Sequence, residues 1–386
     1  YGRILAYLSV RTHDIASAED ALADAFAKAL TNWPKEGVPN NPDAWLLTVA
    51  RNRLTDRQRH TTKFPTISEI PDIPAPELNT GSLVDERLSL LMVCAHPAIA
   101  AELHTPLMLQ TVLGIEAKII AQLFLISPTA LSKRLVRAKA KIKVSGIPFH
   151  IPDAEHLPER SNAIFEAIYA LHSHDWLDPA DGMGEEALYL ANLLCEFLPN
   201  DAEVFGLSAL IAFNHARRTA RVVEGVLVPI EQQDTENWDD DLISYGNRQL
   251  SHAYSLTSIG RFQIEAAIES VHLARKGTET TNWEALNKLF HALLKVAPSA
   301  GAAVSQAVVT ANLHGAEMGL KTLESLELQF GTEFQPLWAA RAELLSRSGR
   351  LEMAYECYDK AISLASQAPV IRFLKNKQAK LSKWRH

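Results

Sequence analysis

Residues 41–59, NPDAWLLTVARNRLTDRQR, constrain the fold more than any other stretch, because they suit one regular conformation, a helix with two unlike faces. Asn41 can cap the free amides at its start, and Pro42 at the first helical position forfeits no hydrogen bond. At helical spacing Trp45, Leu46, Val49, Ala50 and Leu54 fall on one side, and Thr48, Arg51, Asn52, Thr55, Gln58 and Arg59 on the other. The second face offers amides, hydroxyls and guanidiniums, groups that meet base edges and phosphates. A merely solvated face would look the same, so this helix needs a companion signal.

The companion runs from Ile115 to Lys143. Ile115–Phe124 reads as a short helix, Leu125-Ile126 as a tight turn, and Ser127-Pro128 as the cap and first residue of a second helix. In that second helix Leu131, Leu135, Ala138 and Ile142 share a narrow apolar face. Thr129, Ala130, Lys133, Arg134, Arg137 and Lys141 lie opposite. Two helices so joined form a helix-turn-helix, whose second helix enters the major groove. From Lys133 to Lys143 there are six basic residues and no acid, which suits phosphate contacts. An ordinary helical hairpin with a solvated lysine face is the competing reading.

Together the two segments resemble bacterial RNA polymerase sigma factors of the extracytoplasmic-function (ECF) type. Residues 1–60 resemble sigma domain 2 and residues 85–146 resemble sigma domain 4. The acidic-aromatic stretch Asp14–Phe26 is similar to the family segment that docks on the clamp of the polymerase β′ subunit. The resemblance therefore implies polymerase contacts at Asp20, Asp24 and Phe26. It implies −10 element contacts along Trp45–Arg57, and the reading face of this helix holds Thr48, Arg51, Asn52, Thr55 and Arg59. It implies −35 contacts at Thr129, Ala130, Lys133, Arg134, Arg137 and Lys141, with domain 4 meeting the β flap. The family's usual Gln before the second clamp acid is Ala23 here, so one polar contact is expected to be missing.

Promoter melting needs unpaired bases held in pockets, and extruding one base costs a few kcal/mol. A stacking surface and a basic track can offset that. By the resemblance, Trp33–Asn40 is the loop that captures a flipped −10 base, with Asn40 and Asn41 as readers; a plain turn with a helix cap explains Asn41 equally well. Trp33 and Trp45 read more readily as core aromatics than as stacking platforms. Arg53 and Arg57 lie toward the apolar side and are expected to pair with Asp14, Asp20 or Asp56, or to reach outward to phosphate. Residues 61–84 carry Pro65, Pro71, Pro74 and Pro76 without helical period, and read as a flexible linker. Fully extended, such a segment spans about 80 Å, more than two turns of B-DNA.

Charge divides the chain sharply. Residues 1–150 hold 17 basic and 14 acidic side chains, whereas residues 151–386 hold 21 and 31. The acidic part suits protein contact better than nucleic acid. Ile147–Pro152 should break the preceding helix and open a third domain, 147–386. There Trp338, Ala342, Leu345, Gly349, Ala354, Tyr358 and Ala361 follow the small-and-large spacing of a tetratricopeptide (TPR) helix pair. Ala307, Gly319, Leu323 and Leu326 take equivalent places about 35 residues earlier. Residues 263–275 and 283–294 are helical but fit the repeat poorly, so an irregular helical bundle remains open. A subgroup of ECF factors carries such an extension, preceded by a segment like Leu157-Pro158-Glu159-Arg160, and this chain resembles it along nearly its full length. The resemblance implies that the extension replaces a separate anti-sigma protein as the control element, through an intramolecular contact with the sigma domains.

Enzymatic signatures are missing: the sequence has no phosphate-cradling glycine loop, nucleophile elbow or zinc spacing. Cys94, Cys195 and Cys357 are isolated in apolar helical contexts and read as buried thiols. His172-Ser173-His174-Asp175, with Asp178 and Asp181, is the one ligand-like cluster, and a polar interhelical loop explains it better than a metal. The related proteins carry an Asn-Glu-Gly-Tyr-like run there. No stretch approaches the roughly 20 apolar residues of a membrane span, and no signal peptide is evident at the start, so a cytoplasmic location is expected. Because the chain begins at Tyr1, part of the first sigma helix is expected to precede it.

The expectation is thus an all-α chain of two small sigma domains, the second a helix-turn-helix, plus a larger TPR-like domain. It needs no cofactor or metal and partners RNA polymerase core and promoter DNA. Two rivals stand beside it, a stand-alone helix-turn-helix regulator with a TPR-like interaction domain and a repeat-based adaptor.

Overall fold

The computed structural model describes residues 1–61, 86–124, 126–153, 155–174 and 182–382. The expected linker, apart from Thr61, lies outside the described residues, as do Asp85, Leu125, Asp175, Asp178 and Asp181. The described residues fall into two compact units, Tyr1–Ile168 and Tyr169–His386.

The first unit begins with α1 (Gly2–Thr12), α2 (Ile15–Glu36) and α3 (Pro42–Thr61). Asp14 starts α2 by accepting the Ser17 amide at 3.1 Å and the Ser17 hydroxyl at 2.6 Å. Asn41 starts α3 as the sequence required, its Oδ1 accepting the Ala44 amide at 3.0 Å. Leu5, Leu8, Ala18, Leu22, Ala25, Leu46 and Ala50 close one core, with Trp45, Val49 and Leu54 packed against it. Leu47 is buried as well, so the apolar face of α3 is wider than the sequence indicated. One expectation fails here: Trp33–Glu36 is not loop but the last turn of α2. Pro34 forfeits one intrahelical bond, yet Trp33 gains an edge contact on Trp45, 5.5 Å between ring centroids, and the helix ends only at Gly37. That contact also makes both tryptophans core aromatics.

Four helices follow: α4 (Arg87–Cys94), α5 (Ala101–Thr111), α6 (Ala117–Leu123) and α7 (Pro128–Val144). Leu131, Leu135, Ala138 and Ile142 of α7 are all buried, as their spacing predicts. Ser127 occupies the cap position, but its side chain makes no cap bond; Pro128 alone sets the start of α7. After α7, Ile147 and Phe149 are buried, Phe149 standing edge-on to His13 with centroids 5.5 Å apart. Arg160, in the first turn of α8 (Pro158–His174), donates to the Met92 carbonyl at 3.0 Å. The division between the units falls inside α8.

The second unit continues with α9 (Met183–Phe197), α10 (Ala202–Ala216) and a short α11 (Arg218–Arg221). Then come α12 (Asp240–Ser255), α13 (Arg261–Leu273), a short α14 (Arg275–Thr278), α15 (Trp283–Val296) and α16 (Ala300–His314). It closes with α17 (Ala316–Phe330), α18 (Gln335–Arg347), α19 (Leu351–Leu364) and α20 (Ala368–Ser382). A two-residue antiparallel ladder, Val222–Val223 with Val226–Leu227, is the sole sheet among the described residues; the fold is all-α. Ala307, Leu323, Ala342, Leu345, Ala354, Tyr358 and Ala361 share one core, joined by the half-buried Trp338 and Leu326. Gly319 shows why a small residue sits there: a Cβ would lie 2.6 Å from Ala311 Cβ and 2.8 Å from the Ala307 carbonyl oxygen. Residues 263–275 and 283–294 are helical, and α13, α15 and α16 close a further apolar cluster around Phe290.

Candidate nucleic-acid interface

Three exposed surfaces of the first unit carry the residues singled out by sequence. On α3, Thr48 and Asn52 are exposed, while Arg51 and Thr55 are half-buried. The Thr48 hydroxyl donates to the Ala44 carbonyl at 2.8 Å and the Thr55 hydroxyl to the Arg51 carbonyl at 3.0 Å. Each retains acceptor capacity for an outside donor. Asn40 is exposed in the turn before α3, whereas Asn41 already gives its carbonyl oxygen to the helix cap. The side chains of Gln58 and Arg59 lie outside the description.

On α2, Asp20 and Asp24 stand one turn apart on the outside of the helix. Arg57 donates to Asp20 at 2.9 Å and Arg53 to Asp24 at 2.6 Å, both pairs open to solvent. Pairing of Arg57 with Asp20 follows the expectation; Arg53 instead takes Asp24, because α2 and α3 pack so that residues 24 and 53 face each other. Phe26 is half-buried, its ring stacked on Tyr1 with centroids 6.4 Å apart. Leu30, 79 % exposed, lies further along α2, about 80° round the helix from Asp20.

On α7, Thr129, Ala130, Lys133, Arg134, Arg137 and Lys141 are all exposed, as expected. A shallow groove of about 180 Å³ between α5 and α7 has Ile99 and Leu103 as its floor and Arg134, Arg137 and Lys141 as its rim. The remaining two basic residues of this helix are each paired with an acid, Lys139 in a buried place and Lys143 in an exposed one. Lys139 is 8 % exposed, and its ammonium donates to Glu19 at 2.5 and 2.7 Å and to Gln110 at 2.8 Å. Lys143 donates to Asp14 at 2.6 Å. Burial works to raise the Asp14 carboxyl, but the Lys143 and Ser17 hydrogen bonds outweigh it and hold that group below the ordinary carboxylate range. Of the six basic residues of α7 only Lys139 is thus buried; Lys143 stays exposed while paired with Asp14. The sequence could not reveal this, since Glu19 and Lys139 are 120 positions apart.

Among the described residues no group of histidine, cysteine and acid is arranged to hold a metal. Cys94 and Cys357 are buried and Cys195 half-buried, all as free thiols; burial pushes Cys94 and Cys195 up to about 12. No helix of the described residues is long and apolar enough to cross a membrane.

Residues 1–64 match the family described as Sigma-70 region 2, and residues 160–254 match a family of unknown function, DUF6596. Over 390 aligned residues the chain is 33 % identical to Uncharacterized protein R00370 of Rhizobium meliloti (strain 1021). That alignment covers 97 % of this chain and 91 % of the relative.

Proposed function

This chain belongs to the family of R00370 and is a sigma-70 family factor of transcription initiation, and we propose that it acts as an ECF-type factor with a regulatory C-terminal helical domain. Sigma-70 family members bind RNA polymerase core and promoter DNA, a role that is not enzymatic. In this reading residues 1–60 serve as domain 2, residues 61–84 as the linker, residues 85–146 as domain 4, and residues 147–386 as a TPR-like control domain. The observation that carries the reading is the order of exposed surfaces: acids on α2 and amide, hydroxyl and guanidinium on α3, both within the matched residues 1–64, then the basic face of α7 beyond them.

Asp20, Asp24 and Phe26 would dock on the β′ clamp. Polymerase would compete with Arg53 and Arg57 for the two acids, an exchange made easy because exposed ion pairs are weak. Asn40, Asn41, Thr48, Arg51, Asn52, Thr55 and Arg59 would contact the −10 element. In the helix-turn-helix of α6 and α7, Thr129 and Ala130 at the helix start would meet −35 bases, and Lys133, Arg134, Arg137 and Lys141 the flanking phosphates. Domain 4 would also meet the β flap, and the control domain would set how freely these surfaces are offered.

Run-off transcription with purified core polymerase on a promoter library tests this. The full chain should initiate from a defined promoter class, and Asp20→Ala with Asp24→Ala should abolish initiation while leaving duplex binding. Tight duplex binding without initiation under any condition would favour a stand-alone helix-turn-helix regulator instead.

A further inference from the structure

We propose that the cavity between the end of α8 and the first turn of α16, within the second unit, binds a small organic carboxylate with an apolar body. The cavity measures about 400 Å³, within the range of small-molecule sites. One end is polar and electropositive. Ser299 caps α16, its hydroxyl accepting the Ala302 amide at 3.2 Å. The amides of Ala300 and Gly301, being the first two of the helix, have no acceptor within it, and the 15-residue helix adds its dipole at this point. Gly301 lines the cavity, and a Cβ placed on it would meet nothing within 4 Å, so the approach to these amides is open.

A second, independent feature lies on the α8 wall. His172 is 4 % exposed, it lines the cavity, and neither ring nitrogen has a hydrogen-bond partner among the described residues. Burial, and then Arg221, His215 and Arg217 nearby, push the ring down to about 3, so it is neutral at physiological pH. A neutral imidazole presents one N–H and one lone pair, and leaving both unmet in a buried place is unfavourable. The cavity is where a partner for them can come from.

The charged side chains at the cavity cancel in pairs, so the α16 amides are the feature that favours an anion of modest size. The two acids there are already engaged: Glu265 by Arg261 at 2.8 Å and Glu269 by Arg217 at 2.5 Å. Arg261 also lies over the Tyr169 ring, 5.0 Å from its centroid, which fixes the guanidinium at the rim. Leu210, Ile268, Phe290 and Leu293 form an apolar patch that would take a hydrocarbon or aromatic body, beside the polar Ser173, Asn214 and Ser305. A carboxylate at the α16 amides, an apolar tail against Phe290 and a polar atom on His172 would meet these three needs together. This site does not depend on the sigma assignment, because it is built wholly from the second unit.

Calorimetric titration of the full chain with hexanoate, phenylacetate and hexylamine tests the site, together with the carbon–proton spectrum of its histidine rings. Both carboxylates should bind saturably at one per chain, shift the His172 ring signals, and outcompete hexylamine. Gly301→Asp has room for its side chain and suits a helix start, so it should fold normally and weaken carboxylate binding about ten-fold or more. His172→Phe should also weaken binding, by filling the cavity. Failure of both carboxylates to bind, equal binding of hexylamine, or unchanged affinity in Gly301→Asp would overturn the proposal.

Discussion

The Lys139 ammonium sits 2.5 and 2.7 Å from the two carboxylate oxygens of Glu19, tying the basic helix α7 to the acidic helix α2. With Lys143 on Asp14 beside it, this pair links the two halves of the first unit through charge, alongside the edge contact of Phe149 with His13. Gln110 completes the ammonium's shell, which is what makes so buried a lysine tolerable.

Lys139→Met should therefore destabilise the first unit by about 3 kcal/mol, because it strands a largely buried carboxylate. Lys139→Met with Glu19→Leu should recover most of that loss, since an apolar pair of similar volume has no charge to desolvate. Chemical denaturation of the three proteins checks both statements; additive losses would show that the pair does not interact.

Arg137→Ala should behave in the opposite way. Its side chain is exposed on α7, so stability should change by less than about 0.5 kcal/mol. Affinity for promoter duplex should fall, and the slope of log affinity against log salt should shrink by about 1. Binding titrations across a salt series separate this phosphate contact from the structural role of Lys139.

Gly319→Ala should cost about 1–3 kcal/mol, because its Cβ would collide with Ala311, the Ala307 carbonyl and Leu344. Gly301→Ala should be neutral or stabilise by up to about 1 kcal/mol, since nothing stands near its Cβ and alanine narrows the unfolded ensemble. Thermal melts of the two variants should move in different directions.

Acid should weaken the second unit through His172. Its folded value, about 3, lies below the ordinary 6.5, so between those limits the unfolded chain binds a proton that the native chain refuses. Stability is then complete above about pH 6.5 and declines as pH falls toward 3, by at most about 5 kcal/mol for this group. His272, held down chiefly by burial, acts in the same direction. Denaturation profiles from pH 7 to 4 should flatten in His172→Phe; an unchanged slope would remove His172 from the account.

Sequence alone determined the elements and their faces. The 3.6-residue period of α3 and α7, the Asn41 cap and the proline at the start of each helix are local facts, and local facts fix which side is buried. The same holds for the small residues of α16–α19, whose spacing already required close helix approach, as Gly319 shows. Periodicity could not extend α2 through Trp33–Glu36, because the reward for that last turn is a ring contact with Trp45, twelve residues on in the next helix. Nor could it tell which cations of α7 face outward. Lys139 and Arg137 look alike along the chain, and only the packing of α2 and α5 against α7 gives one of them three oxygens and leaves the other to solvent. His172 follows the same rule: sequence marks a histidine near the end of a helix, while its burial depends on helices contributed by residues as far away as Ser305. Short-range spacing sets conformation, but charge and burial are properties of three-dimensional neighbourhoods, and tertiary structure alone assigns them.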